Sequence, residues 1–323
     1  MILNSAGGRV SVANLGKTLM HEHLTVSFGG WEGDTSVPRV SREDAIQVCV
    51  DRVEELKSGG YGALLDPCPN DLGRDIDLMG EVAARTGFNI LFAVGLYMDK
   101  LAGTYWKLKM AMDPDGTKRL ADLFIKEIED GVGSTGVKPA VIKVATGQAP
   151  FTRYEQRVME ASVAAAVATG TPIITHTEGV DGDTQLATLT SHGIAPGRVI
   201  IGHSCANPDH AYHRRIVDAG AYIGFDRFGL ERLRPDEGRL ESLKQMIEAG
   251  LADRVIVSHD CVFHMPGRLA PAGAPVVERH PMHFSRVLAP KLRDMGVSQA
   301  TLDSILTDNP RRYFEGVDAR VAA

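Results

Sequence analysis

The sequence predicts a closed (β/α)8 barrel, with the chain from 1 to 323 forming one domain behind a short N-terminal β-hairpin. Three observations carry this expectation. Short aliphatic runs alternate eight times with longer amphipathic ones, the pattern of a parallel sheet covered by helices. Most of the amphipathic runs stop at a glycine, as helices do. The polar residues of chemical interest fall at the C-terminal ends of the aliphatic runs, the face on which barrel enzymes keep their active sites. Eight units favour closure over an open doubly wound sheet, and no linker, low-complexity stretch or composition shift divides the chain.

In order, the hairpin is expected around Ala6-Gly7-Gly8. Strands are expected at 18–23, 62–66, 89–95, 140–145, 172–176, 199–203, 222–226 and 254–260, each rich in β-branched or aliphatic residues. Helices are expected at 41–58, 75–86, 117–131, 152–170, 183–192, 208–220, 237–250 and 281–295, the first with Ser41 as N-cap and Asp44 at the third position. Gly59, Gly87, Gly131, Gly170, Gly193, Gly220 and Gly250 stand where a helix-terminating residue would.

Charge and composition narrow the function. The formal net charge is −6 and no run of Lys or Arg stands out, which argues against nucleic acid or an anionic membrane as partner and leaves small molecules. No apolar run approaches the ~20 residues of a membrane-crossing helix. The start, MILNSAGGRV, lacks the basic and long apolar stretches of a secretory signal, and Cys49, Cys68, Cys205 and Cys261 show no CxxC spacing. A cytoplasmic protein with four reduced thiols is the expectation.

Met20-His21-Glu22-His23 ends the first strand, so His21 and His23 point to one face and Glu22 to the other. Two adjacent imidazoles suit a divalent metal, although a lone HxH is as often mere surface polarity. Lys143 interrupts the aliphatic run 140–145. Either its ammonium reaches out to solvent, or burial favours a neutral amine able to form a Schiff base or, with carbon dioxide, a carbamate. His176, His203 and Asp260 close three further aliphatic runs. Each alone is a polar cap. Together with HxH and Lys143, they put six ligand-type residues at one barrel mouth and favour a two-metal site.

The segments Met20-His21-Glu22-His23-Leu24, Val141-Ile142-Lys143-Val144-Ala145, Thr175-His176-Thr177, Ile201-Gly202-His203-Ser204 and Ser258-His259-Asp260 resemble, in order and interval, the phosphotriesterase family of the amidohydrolase superfamily. Asn309-Pro310-Arg311-Arg312-Tyr313-Phe314 looks like that family's closing segment. The resemblance implies a distorted barrel and a binuclear centre. His21, His23 and Asp260 would hold the more buried ion, and His176 and His203 the other. A carboxylated Lys143 and a hydroxide would bridge them. Zinc is the first choice of metal, with cobalt, manganese or iron as alternatives, and a homodimer is expected. Tyr97 and Arg227 sit where the family's lactonases carry a tyrosine near the metals and an arginine at the mouth. Ala206 stands where the family usually has an acidic residue, and Arg227 where true phosphotriesterases have a histidine. A relay from Asp260 through histidine to a second carboxylate is therefore not expected.

The two ions, balanced against Asp260, the carbamate and the hydroxide, leave about one positive charge, which favours a neutral substrate. The reading is a hydrolase of lactones or related carboxylic esters, with Asp260 moving the proton, Tyr97 hydrogen-bonding the developing oxyanion and weak phosphotriesterase activity. An organophosphate, other ester or amide hydrolase with the same centre is the near rival, and a Schiff-base aldolase using Lys143 the distant one. Cys205 and Cys261 flank two ligands and are expected near the pocket, which a long loop at 263–279 should shape.

Overall fold

The aliphatic runs become strands in which alternate residues serve two different cores. The computed structural model describes residues 1–267 and 279–316. Strands β1 (Ile2–Ser5) and β2 (Gly8–Ser11) form the expected antiparallel hairpin. There follow β3 (Lys17–Leu19), β4 (Glu22–Thr25), α1 (Arg42–Ser58), β5 (Tyr61–Asp66), α2 (Ile76–Thr86), β6 (Asn89–Leu96), α3 (Thr104–Met112) and α4 (Gly116–Glu129). Next come β7 (Val141–Ala145), α5 (Arg153–Thr169), β8 (Ile173–His176), α6 (Gly182–Ser191), β9 (Val199–Ile201), α7 (His210–Asp218), β10 (Tyr222–Phe225) and α8 (Asp236–Glu248). The described chain ends with β11 (Val255–Val257), β12 (Cys261–His264), α9 (Ala289–Asp294) and α10 (Gln299–Glu315).

Strands β3, β5, β6, β7, β8, β9, β10 and β11 pair in that order as one parallel eight-stranded sheet, and β4 pairs in parallel with β12. The sheet curls into a (β/α)8 barrel as expected. One set of alternate residues, including Met20, Leu65, Val141, Ile174, Ile200, Tyr222 and Ile256, fills the barrel interior with Leu3, Tyr313 and Phe314. The other set packs outward beneath the helices, with Leu64, Ile142, Ile173, Ile201, Ile223 and Val255 as examples. Lys143 follows Val141 by two, and His176 follows Ile174 by two, so the pleat alone carries both side chains to the interior at its C-terminal end.

The first and last strands depart from expectation. The run 18–23 is broken at Met20-His21 into β3 and β4, and the run 254–260 ends at Val257 before β12 begins. The lower halves complete the barrel sheet. The upper halves pair only with each other, the Asp260 amide donates to the His21 carbonyl at 2.9 Å, and the barrel closes there with a distortion. The break has a consequence: Leu19 packs outward and Met20 inward, so an unbroken strand would turn His21 outward again. The run 199–203 likewise stops at Ile201, and His203 lies beyond the strand with φ 60°.

The helices sit where the amphipathic runs predict, within a residue or two at most ends. Ser41 accepts from the Asp44 amide, Asp75 from Leu78, and Thr152 forms a reciprocal capping box with Glu155. Gly59 is not left-handed as a terminating glycine would be; Gly60, φ 81°, takes that role. Helix α3 was not expected, and neither was α10, whose Asn309-Pro310 reads as a turn. The helix forms because Ile305, Tyr313 and Phe314 are buried and Asn309 Nδ2 donates to the carbonyls of Ala252 and Val255. The run 281–295 enters as a π-helical turn, Phe284–Leu288, before α9. Of the expected loop 263–279, residues 268–278 lie outside the described residues. Among the described residues, no helix is long and apolar enough to cross a membrane.

Candidate metal centre at the barrel mouth

Five barrel strands deliver ligand-type residues to one mouth. His23 Nε2 lies 3.2 Å and His21 Nε2 3.9 Å from Asp260 Oδ1, and Lys143 Nζ lies 3.3 Å from His21 Nε2. His21, His23 and Asp260 offer one atom each within 4.8 Å of one another, a spread that a single ion can gather. The His176 and His203 rings adjoin them edge to face, with centroids 4.5 Å apart, and His203 stacks at a tilt on His21 at 4.7 Å. All six residues expected at the mouth are thus brought together.

Two carboxylates that the sequence reading did not single out aim these rings. Asp226 Oδ2 accepts from His21 Nδ1 at 2.9 Å and its Oδ1 from His203 Nδ1 at 3.0 Å. Asp66 Oδ1 accepts from His23 Nδ1 at 3.1 Å, and its Oδ2 takes the Leu24 amide at 2.8 Å. Asp226 fixes the tautomer that leaves Nε2 of His21 and His203 with its lone pair toward the cavity, and Asp66 holds His23 by Nδ1 so that its Nε2 faces Asp260, the outer support that metal-binding histidines need. The signal was present: Asp66 and Asp226 close two of the expected strands at the same level as the ligand-type residues. Gly224 makes room for Asp226, since a Cβ there would come within 2.6 Å of its Oδ2.

The backbone also bends to serve the site. His203 and Asp260 hold φ of 60° and 52°, left-handed values that cost non-glycine residues about 1 kcal/mol or more and tend to persist at functional sites. The turn at Asp260 is anchored by Glu22, which is fully buried and points away from the mouth. Its carboxylate accepts from Ser258 Oγ, the His259 amide and ring, and the Cys261 amide at 2.7–2.9 Å.

The electrostatics suit bound cations. Burial lowers the pKa of His21, His203 and His176, the last to about 4, so these rings are neutral donors near pH 7. Burial opposes the charge on His23, but hydrogen bonds to Asp260 and Asp66 outweigh it and raise its pKa well above the ordinary value. A positive charge between those two carboxylates is favoured. Lys143 is 2% exposed, so its head does not reach solvent; burial brings its pKa down to about 8, against the pull of Asp260 and Asp226. Among the described residues its amine meets the Thr175 carbonyl and His21, each at 3.3 Å. The donor set, the aimed Nε2 atoms and the buried carboxylates fit divalent metal ions.

Tyr97 and Arg227 also face the cavity. Tyr97 Oη is 3.5 Å from His176 Nδ1, while His176 Nε2 meets Glu178 at 3.0 Å. The Tyr97 amide is held by Asp71, and burial raises its phenol pKa, so the hydroxyl keeps its proton. Arg227 Nε donates to Asp260 Oδ2 at 3.1 Å, and Arg279 reaches the same oxygen at 3.3 Å. Cys205 and Cys261 do not line the cavity: Cys205 packs in the outer core, and Cys261 Sγ donates to the Arg279 carbonyl. The cysteine nearest the ligand-type atoms is Cys68, beside His23 and Asp66. All four thiols are free and buried. The cavity measures about 440 Å³.

A helix-covered parallel barrel with this mouth is the frame of a metal-dependent hydrolase. The sequence matches the model of the phosphotriesterase family over residues 1–314. It is 34% identical over 322 residues to the phosphotriesterase homology protein of Mycobacterium tuberculosis, covering 97% of both chains. The organophosphorus hydrolase of Deinococcus radiodurans superimposes with a TM-score of 0.92 at 35% identity, covering 97% of each chain. A variant of a phosphotriesterase-like lactonase from the same species gives 0.91 at 34% identity, covering 97% of this chain and 99% of that one. The chain belongs to the phosphotriesterase family and is a hydrolytic enzyme.

Proposed function

We propose that this enzyme opens lactones or related carboxylic esters, with weak phosphotriesterase activity. His21, His23 and Asp260 would hold one divalent ion and His176 and His203 the other, with Lys143 carboxylated between them. Bound there, the ions, zinc by preference, supply Lewis acidity to the carbonyl oxygen and acidify the attacking water. The remaining work falls to the chain. Asp260, whose Oδ1 lies between His21 and His23, accepts the proton released by the nucleophile and returns it to the leaving oxygen. Tyr97 keeps its proton and donates a hydrogen bond to the oxyanion or the leaving alkoxide. Arg227 and Arg279 hold the other Asp260 oxygen and fix the direction of that transfer.

The observation that carries the lactone reading is where Asp260 leads. Its second oxygen ends on two arginines and not on a histidine backed by another carboxylate, and Ala206 adds no acid. In a lactone the leaving oxygen stays tethered, so one local proton transfer completes the reaction. Tyr97→Phe tests this reading. It should lower kcat/KM for a γ-lactone by roughly 10-fold to 10²-fold and leave a nitrophenyl phosphotriester, whose leaving group needs no proton, almost unchanged. The wild type should favour the lactone by about 10²-fold. Preference for the triester, or equal loss on both, would move the assignment to organophosphate hydrolysis. Activity that survives chelation, with Lys143 trapped by borohydride on a carbonyl substrate, would move it to an aldolase. The enzyme is further proposed to act as a homodimer of one-domain chains in the cytoplasm.

A further inference from the structure

The cavity changes character from floor to rim. Its floor holds His21, Lys143 and Asp260, its walls are apolar, with Phe28, Leu72, Met98 and Leu230 among them, and its rim carries the exposed cations Lys100 and Arg232. Apart from Lys143, four fixed cations line this space, Lys100, Arg227, Arg232 and Arg279, against the two acids Glu178 and Asp260. Asp260 is already met by Arg227 and Arg279. Glu178 accepts from the neutral His176 ring at 3.0 Å and keeps its charge, which Arg227 and Lys100 stabilise, so the cations outnumber the acids by two. Neither Lys100 nor Arg232 makes an ion pair or a hydrogen bond among the described residues. A chain of net charge −6 thus presents a cationic mouth over an apolar throat.

A neutral ester or small lactone ring alone leaves most of about 440 Å³ unfilled and the rim unmatched. We propose that the rim is a subsite for an anionic group, a carboxylate, sulfonate or phosphate, on an apolar arm of the substrate. This rests on the lactone or ester reading of the floor, where the reacting carbonyl itself stays neutral. Lys100, from the turn after β6, and Arg232, from the turn after β10, line the same cavity from different sides of the barrel, so an anion at the end of an arm meets a cation on either side of the mouth. Burial of the arm against the apolar walls brings the pairs out of open solvent, where such pairs are otherwise weak.

The test uses two cyclopentanones as inert lactone shapes, with the same alkyl arm ending in a carboxylate or in a carboxamide. Calorimetric titration of the metal-loaded wild type should show the carboxylate binding about fivefold to tenfold more tightly. The advantage should vanish in the Lys100→Gln/Arg232→Gln double variant, with carboxamide binding unchanged, and should shrink in 0.5 M salt. Equal affinities in the wild type, no binding of the carboxylate form, or an advantage that survives the double substitution would each overturn the proposal. Lactone turnover is assayed separately with the corresponding lactones. A binding preference without turnover would sink the lactone reading and leave the subsite standing.

Discussion

One carboxylate orients two rings: Asp226 takes the Nδ1 protons of His21 and His203 and the His203 amide from within a fully buried setting. An amide of the same shape presents one oxygen and one NH2 group, so Asp226→Asn keeps the fold but sets a donor against one imidazole N–H. That ring must then turn or change tautomer, and its Nε2 no longer faces the cavity. Metal content should fall and activity drop by about 10-fold to 10²-fold, checked by elemental analysis beside lactone kinetics. Full metal occupancy with a wild-type rate would mean the carboxylate only fills space. Lys143 makes a different prediction. Lys143→Met should abolish activity, and short carboxylic acids in solution should partly restore it by supplying the carboxylate that a carbamate would provide. Unchanged rate and metal content would leave the lysine purely structural. The ligand-type residues were legible because each is a polar side chain stranded at the end of an aliphatic run or, for Lys143, inside one. Asp66 and Asp226 stand at the same kind of position but carry no motif of their own, and their partners, 43 and 205 residues away in sequence, appear only in the fold.

At the scale of elements, the first and last strands are held together at the mouth by a latch that no periodicity announces. The aliphatic character of 18–20 runs straight into His21, so one strand is the natural reading, yet only the break between β3 and β4 shifts the pleat by one residue and turns His21 inward. Glu22 thereby faces the other way and gathers Ser258, His259 and Cys261, whose backbone carries Asp260 between them. Glu22→Gln should cost about 3 kcal/mol, the order expected when one member of a buried charged network is replaced. Scanning calorimetry should record a fall of several degrees in Tm. Metal affinity should fall with it, because the left-handed turn at Asp260 loses its anchor. A variant with normal Tm and metal content would show that the β4–β12 pairing alone holds the turn. Helix ends were more legible than this latch, since Ser41, Asp75 and Thr152 are local signals that act within three residues. Helix α10 was not, because its burial against β3 and β11 outweighs its turn-like Asn309-Pro310, and α3 was not, because it buries only Met110 and so carries no single apolar stripe to announce it.

At the scale of the whole molecule, most exposed large apolar side chains among the described residues are scattered, so the one stretch that gathers four of them within twelve residues has a consequence for assembly. Leu101, Tyr105, Leu108 and Met112 are 42%, 63%, 55% and 82% exposed, all within the turn before α3 and α3 itself. Tyr105, Leu108 and Met112 follow one another by three and four residues and so share one helix face. Lys109 lies over the Tyr105 and Trp106 rings and supplies a polar border. A two-fold contact that lays α3 of one copy across α3 of the other would cover this face with the same residues from both chains, as isologous dimers do. A stable dimer covers about 800 Å² per partner, so α3 would form the apolar centre and flanking loops the rim. Leu101 also lines the cavity, which puts this contact next to the substrate's path. The wild type should therefore sediment as a dimer, and Leu108→Asp, which places a charge at the centre of the contact, should sediment as a monomer with its metals retained. Because the mate would help to wall the cavity beside Leu101, the monomer should show a raised KM for long-armed substrates and a nearly unchanged kcat. A monomeric wild type, or a Leu108→Asp variant that stays dimeric, would remove α3 from the interface.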